Sequence, residues 1–146
     1  MALSDRFINF YMDVAHRTAL LSRAIRLQVG AIIVKDEKII SLGFNGTPAG
    51  WDNSCEDVIE VHEDGGKVLK TKPEVLHAEM NALMKLAKST ESGNQASMFI
   101  THSPCIECAK GMYQAGIVQV YYRNSYRDDS GVNFLRKCNV EVIQVE

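Results

Sequence analysis

Leu76-His77-Ala78-Glu79 and, further along, Ser103-Pro104-Cys105-Ile106-Glu107-Cys108 decide how the rest of the chain is read. Together they form H-x-E followed by P-C-x-x-C, which brings one imidazole, one carboxyl and two thiols into a single pattern. Zinc in a catalytic site typically takes three protein ligands and keeps a fourth position for water, and one His with two Cys is an accepted set. His77, Cys105 and Cys108 supply it. Cys105 and Cys108 are spaced to share one face of a helix, and Pro104 suits a helix start because its missing N–H is no loss there. Both sulfurs are then expected at a helix N-terminus, where the unpaired N–H groups and the positive dipole end favour the thiolate, the form that binds metal.

Glu79 lies two positions past His77, about 200° round an ideal helix, so the two cannot face one metal from a helix interior. A helix tip resolves this: His77 in the first turn reaches past the end, while Glu79 approaches the site from the side as a proton shuttle. A lone H-x-E is commonplace, and a lone C-x-x-C is as often half of a structural zinc site or a redox pair. Their co-occurrence in this order, each at a helix start, points to catalytic zinc.

Outward from these segments, 146 residues with 46% hydrophobic content suffice for one well-buried core and fall short of two ordinary domains. A single domain, residues 1–146, is expected. The formal net charge of −2 gives no global basic field, so a long nucleic-acid track is not indicated and a small substrate fits better. Two of the four cysteines remain, Cys55 and Cys138. Met1 to Phe10 carries Asp5 and Arg6 and lacks an apolar core of signal-peptide length, and no run approaches the ~20 apolar residues of a membrane span. The expectation is a cytoplasmic protein away from membranes, with Cys55 and Cys138 as free thiols.

In chain order, apolar residues from Phe7 through Tyr11, Val14, Leu21 and Ile25 recur at helical spacing, predicting a helix from Ser4 to about Leu27 capped by Ser4. Val29–Val34 and Lys38–Phe44 read as a hairpin. The Gly-rich turn Gly43 to Gly50 follows, and then Trp51 to Pro73, which has no clean period and is read as a long functional loop. Pro73 and Glu74 are expected to start the His77 helix, which runs to about Lys88. Ala96–Thr101 reads as a strand delivering Ser103-Pro104-Cys105, with a helix to about Ala115 stopped by Gly116. Ile117–Tyr122 is a buried strand of parallel type, followed by a short helix over Val132–Lys137 and a last strand over Val140–Val145. Alternating helices and strands of this kind imply an α/β sheet covered on both faces, with ligands at the edge where the strands deliver their helices.

The residues resemble the cytidine deaminase superfamily, whose zinc signature is the H-x-E and P-C-x-x-C pair, and more closely its deoxycytidylate (dCMP) deaminase branch. The match runs from Gln28-Val29-Gly30-Ala31 through Gly43-Phe44-Asn45-Gly46-Thr47-Pro48-Ala49-Gly50, His77-Ala78-Glu79-Met80-Asn81-Ala82 and the Cys105 segment to Tyr126-Arg127-Asp128, nearly the whole chain. The zinc motif identifies only the superfamily; the Gly-Phe-Asn-Gly segment and the late Tyr-Arg pair point to the dCMP branch. The resemblance implies a cytidine-deaminase-like three-layer α/β/α sandwich with a five-stranded mixed sheet. It also implies Zn²⁺ on His77, Cys105 and Cys108, hydroxide attack at C4 of cytosine, Glu79 as catalytic acid and base, and dUMP as product. Carried over residue by residue, Asn45 contacts the sugar, Ala78 and Ser103 bracket the base, and Arg26, Tyr126 and Arg127 are candidates for the phosphate. Gly43, Phe44, Asn45 and Gly46 resemble the segment where the family binds a regulatory nucleotide with Mg²⁺, dCTP activating and dTTP inhibiting, between subunits of a homo-oligomer, a hexamer. The role implied is supply of dUMP for dTTP precursor synthesis.

Three rival readings use the same residues. A tRNA or other nucleic-acid deaminase calls for a basic track that the slightly acidic composition lacks. A free-nucleoside cytidine deaminase usually presents Cys where His77 stands. A non-catalytic structural zinc module needs a fourth protein ligand and leaves Glu79 unexplained. For a second, structural zinc, Cys55 and His62 are nearby, with His16 and His102 more distant; hydrogen-bonded or solvated histidines are the simpler reading. Trp51 is expected to pack, on its loop or on a nucleotide base or, by default, in the core, and Asp128-Asp129 to be a solvated face.

Overall fold

The computed structural model describes residues 3–146, so the reading of Met1 and Ala2 lies outside the described residues. The first helix, α1 (Asp5–Ala19), turns Tyr11, Met12, Ala15, Thr18 and Ala19 inward, at the spacing that an amphipathic helix requires. Ser4 stands at its cap with an extended backbone, but its side chain makes no capping bond. The helix stops well short of the expected Leu27. Ser22 is buried, donates from its hydroxyl to the Asn45 carbonyl at 2.7 Å and accepts from the Ala24 amide at 3.2 Å, so side-chain bonds replace the helical ladder. Leu21 and Ile25, which continued the apolar period, are exposed.

Strands β1 (Gly30–Lys35) and β2 (Lys38–Phe44) form the expected hairpin. Its two-residue turn, Asp36-Glu37, has both residues left-handed, φ 51° and 64°, the twist that matches paired strands. Trp51–Pro73 is not the long irregular loop expected: it contains a second hairpin, β3 (Glu56–Val61) and β4 (Lys67–Thr71), which pair only with each other. Of β3 only Glu56 is buried. Both faces of the strand are open, so the alternation that betrays a strand in sequence never arises. Trp51 is exposed, not packed, in a turn closed by its amide on the Pro48 carbonyl at 3.1 Å.

Helix α2 (Ala78–Ala87) begins later than Pro73 because Leu76 is committed to a two-bond bridge with Gly46. Strand β5 (Ser97–His102) leads to α3 (Ile106–Gln114), which ends at Ala115, with Gly116 at φ 93° as the expected stop. Strand β6 (Gln119–Asn124), α4 (Ser130–Lys137) and β7 (Glu141–Gln144) complete the chain.

The sheet order is β2-β1-β5-β6-β7; β1 is antiparallel to both neighbours, and β5, β6 and β7 are parallel. Residues of β1 alternate between two cores. Ile32 and Val34 join Phe99 and Tyr121 beneath Tyr11, Met12 and Ala15 of α1, with the Phe99 and Tyr121 rings stacked at 4.5 Å. Ala31 and Ile33 join Met98, Ile100 and Val120 beneath α2, α3 and α4. The result is the three-layer α/β/α sandwich with a five-stranded mixed sheet. Two glycines set the layer spacing: a Cβ on Gly30 would strike the Ala15 carbonyl and Ala19 amide of α1, and one on Gly43 the Ala78 carbonyl and Ala82 amide of α2.

Candidate metal centre and active-site cavity

His77 stands at the cap of α2 and Cys105 at the cap of α3, both with extended backbone, and Cys108 sits in the first turn of α3. Pro104 therefore precedes the cap and does not occupy the first helical position. The His77 Nδ1 lies 3.5 Å from the Cys105 Sγ and 3.3 Å from the Cys108 Sγ. All three ligand atoms are within 4.8 Å of one another. Tetrahedral zinc with bonds of about 2.0 Å to nitrogen and about 2.3 Å to sulfur needs N···S edges of about 3.5 Å. The donor set and its spacing fit that ion. Among the described residues no other cluster of three such side chains forms, and Cys55, His62, His16 and His102 do not join this one. Cys55 and Cys138 are free thiols.

The cap position reconciles His77 with Glu79. An extended residue followed at once by a helix turns its side chain out past the helix end, while Glu79, in the first turn, is buried with 4% exposure. Burial pushes the Glu79 carboxyl up to about 7. The Cys105 thiol is held down to about 3, first by the hydrogen bond from Cys108 and then by the one to His77. Cys108 moves the opposite way, well above the ordinary thiol range, because its thiol donates to Cys105 and because it is buried. The His77 pKa is itself raised, chiefly by the Cys105 hydrogen bond, so the three side chains are coupled through direct contacts.

The centre opens into a cavity of about 350 Å³. Arg26, Asn45, Ala78, Ser103, Tyr126 and Arg127, six positions from five separate segments, line it together with His77, Glu79 and Cys105. Two of them are tied up in ways the sequence did not indicate. The Asn45 carboxamide bridges the chain before β1, accepting from the Val29 amide at 2.9 Å and donating to the Leu27 carbonyl at 2.8 Å. The Ser103 hydroxyl accepts from the Tyr126 amide at 2.6 Å, fixing the loop that carries Arg127. Gly43, Phe44 and Gly46 do not line the cavity. Gly43 is against α2, the Phe44 carbonyl accepts from the Asn81 side chain at 2.8 Å, and Gly46 holds Leu76 just before His77. Cys55, Glu56, Thr71, Val75 and His102 also face the cavity and were not singled out as its lining from sequence. Glu56 and Thr71 belong to the hairpin that left no periodic signal.

Residues 6–124 match the family model described as the cytidine and deoxycytidylate deaminase zinc-binding region. The ComE operon protein 2 of Bacillus subtilis is 36% identical over 138 residues, 94% of this chain and 70% of that protein. Human deoxycytidylate deaminase is 39% identical over 123 residues, 83% of this chain and 66% of that protein. Among solved structures, the dCMP deaminase of cyanophage S-TIM5 in complex with dCMP and dUMP superposes with a TM-score of 0.88 at 43% identity, covering 99% of this chain and 100% of that one. Among the described residues no helix is long and apolar enough to cross a membrane.

Proposed function

The chain belongs to the cytidine and deoxycytidylate deaminase zinc-binding family, and from that premise we propose that it hydrolyses dCMP to dUMP and ammonia. The observation that carries this reading is the convergence of His77, Cys105 and Cys108 on one point at the wall of a cavity that also receives Glu79, Arg26 and Arg127. His77, Cys105 and Cys108 hold the zinc, and Glu79 is the catalytic acid and base. A zinc ion held there supplies an acidified water, with a pKa lowered to about 7, as nucleophile at neutral pH. Glu79 would accept the two protons of the attacking water in turn, giving the first to N3 of the pyrimidine and the second, released as the hydroxyl at C4 becomes the carbonyl, to the amine that leaves as ammonia. Burial raises the Glu79 carboxyl above the ordinary range, the direction that helps a group which must both take up and return protons near neutral pH. Ala78 and Ser103 flank the base and Asn45 lies on the sugar side. Arg26 and Arg127 meet the phosphate, with Tyr126 beside them.

Regulation belongs to the same proposal. The turn Gly43 to Gly46 takes dCTP or dTTP with Mg²⁺ between subunits of a hexamer, dCTP raising and dTTP suppressing turnover. Support comes from the bridge between Gly46 and Leu76, through which a change at the turn reaches the residue before His77. Residues 1–146 act as one domain, in the cytoplasm, feeding dUMP to dTTP synthesis. The test is loss of dCMP absorbance with zinc-loaded protein, alone and with dCTP·Mg²⁺ or dTTP·Mg²⁺. Turnover raised by the first and suppressed by the second is the expected result; hyperbolic kinetics indifferent to both remove the regulatory part. Deamination of a tRNA anticodon loop in place of dCMP overturns the substrate.

A further inference from the structure

The β3–β4 hairpin ends at the cavity in one directly opposed pair, Glu56 and Thr71. Both members of that pair hold the same residue. The Glu56 Oε2 accepts from the Arg26 amide at 2.9 Å and from the neighbouring Ile25 amide, also at 2.9 Å. The Thr71 hydroxyl accepts from the Arg26 guanidinium at 3.2 Å. Glu56 is 8% exposed, whereas Arg26 is exposed and sits in a segment with no helix or strand of its own. A buried carboxylate accepting two backbone N–H groups makes charge-assisted bonds, the stronger kind, and it replaces the helical ladder that Ile25 and Arg26 do not have.

We propose that Glu56 and Thr71 are positioning residues for nucleotide recognition: the first fixes the Arg26 backbone, the second aims its guanidinium across the cavity mouth, and the pair sets the preference for a 5′-phosphorylated substrate over the bare nucleoside. A long flexible arginine on an irregular segment would otherwise have to be ordered each time a phosphate binds, and a residue held at both ends avoids much of that loss. The hairpin, with its outer faces in solvent, thereby acquires a role that its packing alone does not explain. Thr71 donates nothing to the phosphate by this account; it hands over or shares the guanidinium when the anion arrives.

This inference rests on the dCMP reading and is tested separately from it by comparing dCMP with deoxycytidine in the zinc-loaded enzyme. Arg26→Ala and Glu56→Ala are each expected to raise KM for dCMP by about tenfold or more, with a much smaller change for deoxycytidine. On the Arg26→Ala background, Glu56→Ala adds less than about twofold, because both act through one guanidinium. Glu56→Gln, which keeps an acceptor oxygen, restores most of the dCMP KM. Thr71→Val, at an exposed position that leaves the Glu56 bonds intact, raises KM for dCMP about threefold and decides the matter if Glu56→Ala fails to fold. Equal losses on both substrates, or additive losses in Glu56→Ala with Arg26→Ala, overturn the clamp while native dCMP turnover leaves the parent reading standing. Absence of native dCMP turnover overturns both.

Discussion

Glu79 combines full burial with a position beside the proposed metal, and the two properties make separate predictions. Glu79→Gln should lower turnover by about 10²–10⁴-fold while metal analysis still finds zinc, because the three ligands are untouched; an active, zinc-loaded variant would contradict the role. The second prediction concerns metal-free protein. Burial raises the carboxyl from 4.5 to about 7, so the folded chain holds a proton that the unfolded chain has released between those values. That contribution is fully present below the unfolded value and is lost as pH rises through 7. Cys105, held at about 3, slopes the other way over the same interval, its stabilisation being lost as pH falls. The quantity to measure is therefore the difference between Glu79→Gln and native protein in urea unfolding with chelator present: it should move in favour of the variant by roughly 3 kcal/mol between pH 4.5 and 7. The convergence of His77, Cys105 and Cys108 beside Glu79 was legible in sequence because metal chemistry restricts both residue type and spacing. Glu56 was not, since the amides it holds lie thirty and thirty-one residues earlier and nothing local to Glu56 announces them.

Gly30 and Gly43 show how tightly the helices are laid on the first hairpin. Each faces helix backbone on its own side of the sheet, and backbone cannot swing aside as a flexible side chain can. Gly30→Ala and Gly43→Ala should each cost about 2 kcal/mol or more, or prevent folding, by thermal or denaturant unfolding. Gly43→Ala should also impair turnover, since it displaces the start of α2 that carries Glu79. A variant as stable as the native chain would mean that α2 can slide without penalty. At this scale the sequence was informative where one face of an element is buried and silent elsewhere. The β1–β2 hairpin, α3 with its Gly116 stop, and the parallel strand after it all carry inward-facing patterns. The β3–β4 hairpin carries none, and α1 was overrun because Leu21 and Ile25 continue a period that Ser22 and Glu56 interrupt through bonds to the backbone.

The proposed zinc site joins His77 at the cap of α2 to Cys105 and Cys108 at the start of α3, so removal of the metal should be felt by the whole molecule. A ligand bound only by the folded state stabilises it by roughly 3–4 kcal/mol at a hundred to a thousand times its dissociation constant. Chelation is expected to abolish dCMP turnover and lower Tm by several degrees, with zinc restoring both; an unchanged Tm would place the metal elsewhere. The α/β class was readable from alternation of elements, and the five-stranded mixed sheet from the resemblance carried by its motifs. The additional two-stranded sheet escaped both, being held by polar contacts to the chain before β1 and not by a shared core. The cavity gathers at the end of the sheet marked by Gly30, Phe44, His102 and Asn124, while the Asp36-Glu37 turn lies at the other, where Lys35 pairs with Lys38. Two side chains held left-handed there each forgo about 1 kcal/mol that a glycine would not. A lineage facing a warmer habitat thus has a reserve of thermal tolerance to draw on through drift at that turn, without its inheritance of chemistry at the opposite rim being touched.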